Sequence, residues 1–397
     1  MPASSARKRA LVATYVPVTY SRPSRQVRWL EAAGYQVDVL SREPDHPDAT
    51  GTAFRIGAPA LPLRLAAYAM LPSRLRHRYL LESRIPDGVV PPLEAKYDVV
   101  VLHDLDFLPW VSKRRGELTD GPVLVDLHEY FASQGIGFVY RLLFARYGRW
   151  LLGFIKDPAI TIRTTVADGI ADLYADRLGV PRPVVIRSAA RYADLEPSPV
   201  DDARIMLLHH GKADLGRGQK LLLDAFHRLD DRFRLVLMLV GSDREISILR
   251  GHPAVASGRV EFRPPVTMVD VPGAINDCDV EIIFFPPKTE NLLHALPNKF
   301  FEALQGRLGL VIGRSPEMLR IVDEIGNGVV VPDWTEDSLA ATLNGLGGDQ
   351  VRELKAASHR AAGRYSDERE GAAFLALIQG ASTSATVPEE GGCASGL

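Results

Sequence analysis

The chain has 397 residues, which is long for a single domain and predicts two. It is 46% hydrophobic and 24% charged, and its formal net charge of −2 excludes a bulk electrostatic attraction to nucleic acid. Two cysteines, Cys278 and Cys393, have neither metal-ligand nor disulfide-framework spacing. We recognise no signal peptide and no apolar run long enough to span a bilayer, so we expect a cytoplasmic protein.

Short apolar runs alternate with longer helical patterns through most of the chain. The first series of predicted strands comprises residues 9–15, 35–41, 97–103, 123–127, 160–165 and 184–187. Near-continuous hydrophobic runs are typical of strands buried on both faces. Because helical patterns separate them, we expect right-handed β-α-β units and a parallel sheet.

A second series of strands follows, at residues 205–210, 234–241, 260–262, 280–285, 308–313 and 328–331. Residues 189–203, with two prolines and four acidic residues, are a credible linker between the series. We therefore predict two doubly wound α/β domains, Rossmann-like, at residues 1–195 and 196–365. We expect a C-terminal helix at 366–380, packing back toward the first domain, and a disordered tail at 381–397. Ligands of such sheets bind outside the carboxyl ends of the strands, which predicts a site in a cleft between the domains.

The segment 296–306 has the features of an anion site, because it follows a predicted strand and opens a short helix. The N–H groups of a first helical turn and the helix dipole favour a phosphate, and Lys299 adds a positive charge. Glu302, one turn further on, is placed to hydrogen-bond a hydroxyl group beside that phosphate. The simpler interpretations make Asn298 a helix cap and Glu302 a surface residue.

A glycine-rich turn at residues 209–218 lies before another predicted helix. Its three glycines allow the backbone to approach a ligand closely. Lys212 and Arg217 supply positive charges, and an arginine can bind a phosphate through two hydrogen bonds. The alternative is an ordinary solvated turn between a strand and a helix.

Histidines and carboxylates follow two neighbouring predicted strands of the first series. His103, Asp104 and Asp106 come after one strand, and His128 and Glu129 come after the next. A single His–Asp pair is often structural, but two such groups would point to one edge of the sheet. A histidine there can donate a hydrogen bond to a sugar hydroxyl or a phosphate.

Two arginine-rich regions have a functional and a structural interpretation each. The loop 15–28 lacks a G-x-G-x-x-G fingerprint, and its Arg22 and Arg25 either meet an acceptor or phosphate or are solvated helix charges. Residues 61–81 and 140–154 mix arginines with large apolar side chains. They predict helices packed on the sheet with their charges outside; the alternative is peripheral contact with the inner face of a membrane or with a lipid acceptor.

Together these segments resemble the GT-B glycosyltransferases, specifically the large retaining family called family 4 or glycosyltransferase group 1. The resemblance extends to about residue 380 and includes residues 97–110, 123–131 and 165–188. It implies two Rossmann-like domains that face each other across a cleft, the first for the acceptor and the second for the donor. The implied reaction moves a sugar from a UDP- or GDP-linked donor to a hydroxyl of a natural product or cell-envelope precursor, with retention of anomeric configuration. The implied partners are the nucleotide sugar and a small-molecule or lipid-linked acceptor, without cofactor or metal.

The resemblance also implies roles for individual residues. Glu302 matches the carboxylate that binds the nucleotide ribose, and His128 matches a histidine at the donor sugar. The residues expected to act on the leaving group or reaction centre are His128, Lys212 and Arg217. Those expected to bind the donor are Gly211, Gly218, Glu290, Asn291, Leu292, His294, Asn298, Lys299 and Glu302. Those expected on the acceptor side are Arg22, Arg25, His103, Asp104, Asp106 and Glu129.

One position departs from the family pattern. The family usually has a second glutamate eight residues before Glu302, where this chain has His294. Glu290, or backbone N–H groups of residues 289–293, are candidates to replace it in contacting the donor sugar. The departure leaves two alternatives open: a GT-B epimerase of nucleotide sugars, and a non-catalytic nucleotide-sugar-binding subunit of a partner transferase.

Overall fold

The computed structural model describes residues 7–57, 70–103, 105–131 and 138–384, without the side chains of residues 73, 74, 138–145, 217, 383 and 384. The chain divides into two compact units. The first comprises residues 1–165, 171–186 and 371–397, and the second comprises residues 166–170 and 187–370. Among the described residues, none of the helices is both long and apolar enough to cross a bilayer.

The first unit is built on a seven-stranded parallel sheet with the order β3-β2-β1-β4-β5-β6-β7. Every residue of the fourth and fifth strands is buried, as the continuous apolar runs predict. Residues 53–55 form a short edge strand that the hydrophobic pattern does not indicate. The strands are β1 (Arg9–Ala13), β2 (Gln36–Ser41), β3 (Ala53–Arg55), β4 (Val99–His103), β5 (Val123–Leu127), β6 (Ile162–Thr165) and β7 (Val184–Val185).

Helices cover the first sheet and include one from the far end of the chain. Phe374 and Ile378, one helical turn apart, are buried in the first unit's core, where the Phe374 ring lies 5.4 Å from the Trp29 ring. The helices are α1 (Ser21–Ala32), α2 (Ser73–Glu82), α3 (Leu108–Leu118), α4 (Phe138–Gly153), α5 (Asp168–Leu178) and, at the C-terminus, α14 (Asp367–Ser384). The first residues of α5 and α14 belong to the second unit. Helix α14 extends four residues into the segment predicted to be disordered, and residues 385–397 lie outside the described part.

The second unit repeats the same winding with a six-stranded parallel sheet of order β10-β9-β8-β11-β12-β13. The strands are β8 (Ile205–Lys212), β9 (Phe233–Val240), β10 (Val260–Arg263), β11 (Val280–Ile283), β12 (Gly309–Ile312) and β13 (Gly328–Val330). The predicted fold class, a pair of doubly wound α/β domains, is confirmed. In each sheet the strand order reverses once, between β1 and β4 in the first and between β8 and β11 in the second, which are the places where such folds bind ligands.

At least one helix lies between each two consecutive strands of the second unit. Helix α7 begins with a capping box, in which Ser242 and Glu245 each bond the other's backbone N–H. The helices are α6 (Gln219–Phe226), α7 (Asp243–Arg250), α8 (Val271–Ile275), α9 (Glu290–Leu293), α10 (Asn298–Gln305), α11 (Pro316–Ile325), α12 (Glu336–Asn344) and α13 (Gly348–Ala361).

The predicted linker is irregular and is held by one buried arginine. Residues 186–200 contain no helix or strand. Arg307, which follows α10 with a φ of 65°, donates to the carbonyl oxygens of Ala193 (2.5 Å) and Leu195 (3.0 Å). Its guanidinium therefore fastens the linker to the second unit.

Candidate functional site

A row of three buried ionisable side chains lies where the strand order of the second sheet reverses. His210 on β8 contacts Glu281 on β11 through Nδ1 (2.9 Å to Oε2) and Glu302 on α10 through Nε2 (3.0 Å to Oε2). All three residues are less than a tenth exposed. The row thus joins two central strands to the helix that carries the predicted ribose-binding carboxylate.

His209 and His210, adjacent near the end of β8, have pKa values shifted in opposite directions. Burial alone would lower the pKa of His210, but the charges and hydrogen bonds of Glu281 and Glu302 raise it to about 9. Burial and the nearby Lys299 charge lower the pKa of His209 well below its ordinary value. His209 is therefore neutral, and its Nδ1 donates to the carbonyl oxygen of Ile282 at 2.9 Å.

The structure brings together the glycine-rich turn and the predicted anion-binding helix. Gly211 has a φ of 111°, a region that favours glycine. A Cβ atom at Gly211 would lie 3.4 Å from Nζ of Lys299, so the ammonium group of α10 lies directly against the turn. Lys212 is exposed beside it, and the side chain of Arg217 lies outside the described residues.

The turn after β8 is held in shape by a buried glutamine. Gln219 accepts from the N–H of Asp214 (2.9 Å) and donates to the carbonyl oxygen of Lys212 (2.8 Å). Gly218 has a φ of 83°, and a Cβ atom there would come within 2.9 Å of the carbonyl oxygen of Phe284. Two glycines with positive φ and one buried glutamine therefore shape the turn that carries Lys212.

Helix α10 begins one residue earlier than a cap at Asn298 would place it. Pro297 is the N-cap and provides no side-chain hydrogen bond, so Asn298 is the first helical residue and the interpretation of Asn298 as a cap is wrong. Glu302 is buried, so its interpretation as a surface residue is wrong as well. The first turn of α10 therefore lies at the predicted anion site with no side-chain cap.

The short helix α9 contains Glu290, Asn291 and Leu292, which are partly exposed. Its first turn is capped by Thr289, whose Oγ1 accepts from the N–H of Leu292 at 3.2 Å. The N–H of Leu293 bonds the carbonyl oxygen of Thr289. Two of the backbone N–H groups expected to replace the missing glutamate are therefore engaged within the helix.

His294 lies in a tight arrangement with a buried carboxylate and a glycine. Its Nδ1 is 3.2 Å from Oε1 of Glu317, and the Glu317 carboxylate also accepts the N–H groups of Asp168 (3.1 Å) and Gly169 (2.9 Å). A Cβ atom at Gly169 would lie 2.0 Å from the His294 ring. The side chain at the departing position is therefore hydrogen-bonded to Glu317.

The first unit has a pocket of about 270 Å³ beyond the carboxyl end of β5. His128 is partly exposed there, and its Nε2 lies 3.2 Å from Nδ1 of the buried His103. The pocket's polar and aromatic lining includes Tyr20, Arg22, Asp126, His128, Glu129 and Tyr174. The structure thus brings His103, His128 and Arg22 together at this pocket.

The hydrogen-bond network assigns the protons of the two histidines. Burial lowers the pKa of His103 to about 3, so its ring is neutral. Its Nδ1 lies 3.4 Å from a carboxylate oxygen of Asp126 as well as beside His128, and only a protonated Nδ1 suits these two acceptors. His128 then accepts at Nε2 and carries its own hydrogen on Nδ1, as a donor.

Asp126 is buried and fully engaged. Arg22 donates to both of its oxygens (2.5 and 2.7 Å), and Gln26 and Thr164 donate at 2.9 and 2.7 Å. Burial alone would raise the pKa of Asp126, but the charge and hydrogen bonds of Arg22 hold it well below the ordinary value. Arg22 and Arg25 are each only 6% exposed, so their interpretation as solvated charges is wrong.

His103, Asp126 and His128 have the chemistry of metal ligands, and their ligand atoms lie within 4.8 Å of one another. The oxygens of Asp126 already accept four hydrogen bonds, two of them from a guanidinium group. A metal cation would have to displace these donors and lie beside the charge of Arg22. The group therefore fits a hydrogen-bond network better than a metal centre.

The remaining acceptor-side candidates have different surroundings. Asp106 accepts from Arg84 (2.5 Å) and Tyr147 (3.2 Å), and it therefore links the turn after α2 to helix α4. Glu129 is exposed, while its carbonyl oxygen accepts from Tyr174. Asp104 lies outside the described residues, as do residues 61–69 of the basic and apolar segments. In the described part of those segments, Arg146 and Arg149 are exposed and Tyr147 and Leu151 are buried, as expected for a helix packed on the sheet.

Several residues of the two sites are not identified by the sequence reasoning. Asp126 and Glu281 are carboxylates inside otherwise apolar strands, and this is the signal that marks them, because a buried carboxylate requires a partner. The polar partners are harder to find, since they come from distant segments. The missed residues are Gln26, Asp126, Thr164, His209, His210, Gln219, Glu281 and Glu317.

Comparison with known proteins identifies both halves of the chain. Residues 21–189 match the family model described as Glycosyl transferase 4-like domain, and residues 204–349 match the one described as Glycosyl transferases group 1. No curated protein matches the sequence.

Solved structures share the fold at low identity. Sucrose-phosphate synthase from Thermosynechococcus elongatus is 14% identical with a TM-score of 0.70, over 95% of this chain and 100% of that one. An α,α-trehalose 6-phosphate synthase from Burkholderia multivorans is 13% identical with a TM-score of 0.65, over 96% and 100%. HepE from Anabaena, solved in complex with UDP and glucose, is 11% identical with a TM-score of 0.66, over 94% and 100%.

Proposed function

Because this chain belongs to the glycosyltransferases, combining a glycosyl transferase 4-like domain with a glycosyl transferases group 1 domain in a GT-B fold, we propose that it is a retaining, metal-independent enzyme. It moves a sugar from a UDP- or GDP-linked donor to a hydroxyl group of a natural product or cell-envelope precursor. The single observation that carries the proposal is the contact of Lys299 with the Gly211 turn, beside the buried carboxylate of Glu302.

The donor diphosphate is bound by the second unit. The first turn of α10 supplies backbone N–H groups and the positive end of a helix dipole. Lys299, Lys212 and Arg217 add positive charge that stabilises the diphosphate as it leaves. This cationic surrounding performs the task that a metal ion performs in other transferases, and HepE, with its bound UDP, supports a nucleotide as the ligand.

The nucleoside is recognised by Glu302. One of its carboxylate oxygens accepts from His210, and the other accepts from the ribose hydroxyl groups. A carboxylate suits this role because it accepts hydrogen bonds from hydroxyl groups, and its negative charge strengthens those hydrogen bonds.

The acceptor is bound by the first unit, in the pocket beside His128. With its hydrogen on Nδ1, His128 donates to an oxygen atom of the sugar or of the acceptor. The charged wall of the pocket contains Arg22 and Asp126, whose mutual hydrogen bonds hold the site in shape.

The reaction breaks the bond between the anomeric carbon and the diphosphate oxygen and forms a bond from that carbon to the acceptor oxygen. Attack on the face from which the diphosphate leaves retains the anomeric configuration. The acceptor's proton passes to the departing diphosphate, so no protein base is required. This assignment follows the family resemblance.

The phosphate contacts are tested by substitution. Lys212→Ala and Arg217→Ala should each reduce transfer by about 100-fold or more, since a charged transition-state contact contributes roughly 3 kcal/mol. Lys220→Ala, which removes another exposed lysine from the same region, is the matched control and should retain activity. Full activity of both Lys212→Ala and Arg217→Ala, with unchanged thermal unfolding, would show that the diphosphate is held elsewhere.

The donor and the stereochemistry are tested separately. A thermal-shift panel of UDP- and GDP-sugars should identify a donor that raises the unfolding temperature by mass action. With that donor, NMR of the product should show retained anomeric configuration, and activity should survive a chelator. An inverted product, or activity lost with EDTA and restored by a metal ion, contradicts this mechanism, and an epimerised nucleotide sugar formed without acceptor supports the epimerase.

A further inference from the structure

The imidazole of His210 is placed between two carboxylates that differ in what surrounds them. Glu281 is fully buried on β11, and in the described part of the chain its carboxylate accepts only from the ring and backbone N–H of His210. Glu302 is 7% exposed, and among the described residues its side chain accepts only from Nε2 of His210. One oxygen of Glu302 is therefore committed to His210, and the other is left for a ligand.

The charges around the row require the histidine to carry its proton. Two carboxylates flank the ring. Among the described residues, the other ionisable groups that act on it are Lys299 on α10 and the neutral His209 on β8. With His210 protonated, the charges of Glu281, His210, Glu302 and Lys299 cancel. With His210 neutral, one of the two carboxylates would lose its donor inside a low-dielectric site, which is costly.

We propose that His210 is a positioning residue that fixes the carboxylate of Glu302 for the ribose, and that Glu281 acts through it. The inference deepens the proposed function and rests on it, because it takes Glu302 as the ribose contact. A carboxylate held at one oxygen presents the other oxygen in a single direction. The protein therefore strongly prefers a nucleotide with ribose hydroxyl groups to one that lacks them. An unclamped carboxylate would lose this preference without losing the diphosphate contacts.

The proposal predicts a change in the ratio of two dissociation constants, that of a 2′,3′-dideoxynucleotide to that of the matching ribonucleotide. The dissociation constants of UDP and 2′,3′-dideoxy-UDP, or of the corresponding guanine pair if GDP binds better, are measured by calorimetry. In the wild-type protein the ribonucleotide should bind about 10- to 100-fold more tightly, the range of a hydrogen bond to a charged group. In Glu281→Gln and His210→Gln the ratio should fall below about threefold, while the affinity for the dideoxy nucleotide changes less than about twofold.

A pH series on the wild-type protein tests the same point without substitution. A neutral His210 carries only one ring proton. Because Glu281 is the more deeply buried carboxylate, that proton stays on Nδ1, which faces Glu281, and Glu302 loses its hydrogen-bond donor. The ratio should therefore hold from pH 7 to pH 8 and decline through about pH 9. Titration of the diphosphate or the base affects both nucleotides alike and cancels from the ratio.

Glu353→Gln, an exposed glutamate on α13, should leave the ratio at the wild-type value. Equal weakening of both nucleotides in the His210 and Glu281 variants, or a ratio constant to pH 10, would overturn the positioning role while leaving the nucleotide site intact. If the wild-type protein binds neither nucleotide, the proposed function itself fails, and this inference with it.

Discussion

The guanidinium of Arg22 and the carboxylate of Asp126 lie side by side with two hydrogen bonds of 2.5 and 2.7 Å, and both side chains are buried. The same arginine donates to the carbonyl oxygen of Ile186 at 2.7 Å. One side chain therefore ties α1 to β5 and to the segment that follows β7, beside the pocket that contains His128.

Removing Arg22 alone should cost more stability than removing Arg22 and neutralising Asp126 together. Arg22→Met leaves the charge of Asp126 buried and only partly compensated, and we expect the free energy of unfolding to fall by about 3–5 kcal/mol. Arg22→Met combined with Asp126→Asn should recover part of that loss. Chemical denaturation of the two variants and of Arg146→Ala, an exposed arginine, measures the difference; equal losses in the single and double variants would contradict it.

Gly211 should be required for binding as well as for stability. Gly211→Ala strains a residue with a φ of 111° and places a methyl group against Lys299, so we expect a loss of about 1–2 kcal/mol in stability and weaker donor binding. Gly258→Ala is the matched control, because Gly258 also has a positive φ (71°) but a methyl group there would have no neighbouring atom within 4 Å. Gly258→Ala should lose stability only, as thermal unfolding and nucleotide titration would show.

The buried histidine of the first unit should make the protein sensitive to mild acid. Burial lowers the pKa of His103 to about 3, so between pH 6.5 and pH 3 the unfolded chain binds a proton that the folded chain does not. Stability should therefore fall with decreasing pH in this window, by up to about 1.4 kcal/mol per pH unit from this residue.

The variant His103→Asn should lack this part of the pH dependence. Denaturation curves recorded between pH 7.5 and pH 4.5 for both proteins give the difference in slope. His227→Asn, at an exposed position, should follow the wild-type slope. Parallel curves for wild type and His103→Asn would show that His103 is protonated in the folded protein.

Restoring the family's usual residue at position 294 should harm this chain. His294→Glu would bring a carboxylate to within about 3 Å of the buried Glu317, and like charges at that distance oppose each other. We expect a clear loss of stability, which Glu317→Gln in the same chain should partly reverse. Thermal unfolding of the single and double variants measures the loss. If His294→Glu unfolds at the wild-type temperature, the Glu317 carboxylate does not repel the new carboxylate.

The hydrophobic pattern predicts the framework well because each strand's burial depends mainly on its own residues. The observed strands β5 and β11 begin at the predicted residues, Val123 and Val280. The short edge strand at residues 53–55 is missed because it is only partly buried and lacks an apolar run. Positions that need particular residues in a turn, such as Gly211, are also visible in the sequence.

The partners inside the two sites are not predictable in the same way. Glu281 and His210 are 71 residues apart, and Arg22 and Asp126 are 104 residues apart. Such pairs depend on strand order and on which face of a strand a side chain occupies. The sequence shows that a buried carboxylate needs a partner, but the tertiary fold decides which residue provides it.

The contribution of α14 to the first unit has a consequence for biosynthesis. Phe374 and Ile378 complete a hydrophobic core whose other fully buried members, among the described residues, all precede residue 187. On the ribosome, that core is therefore exposed until the whole of the second unit has been made. The core of the first unit depends on protection until α14, which follows the second unit in the chain, has left the ribosome.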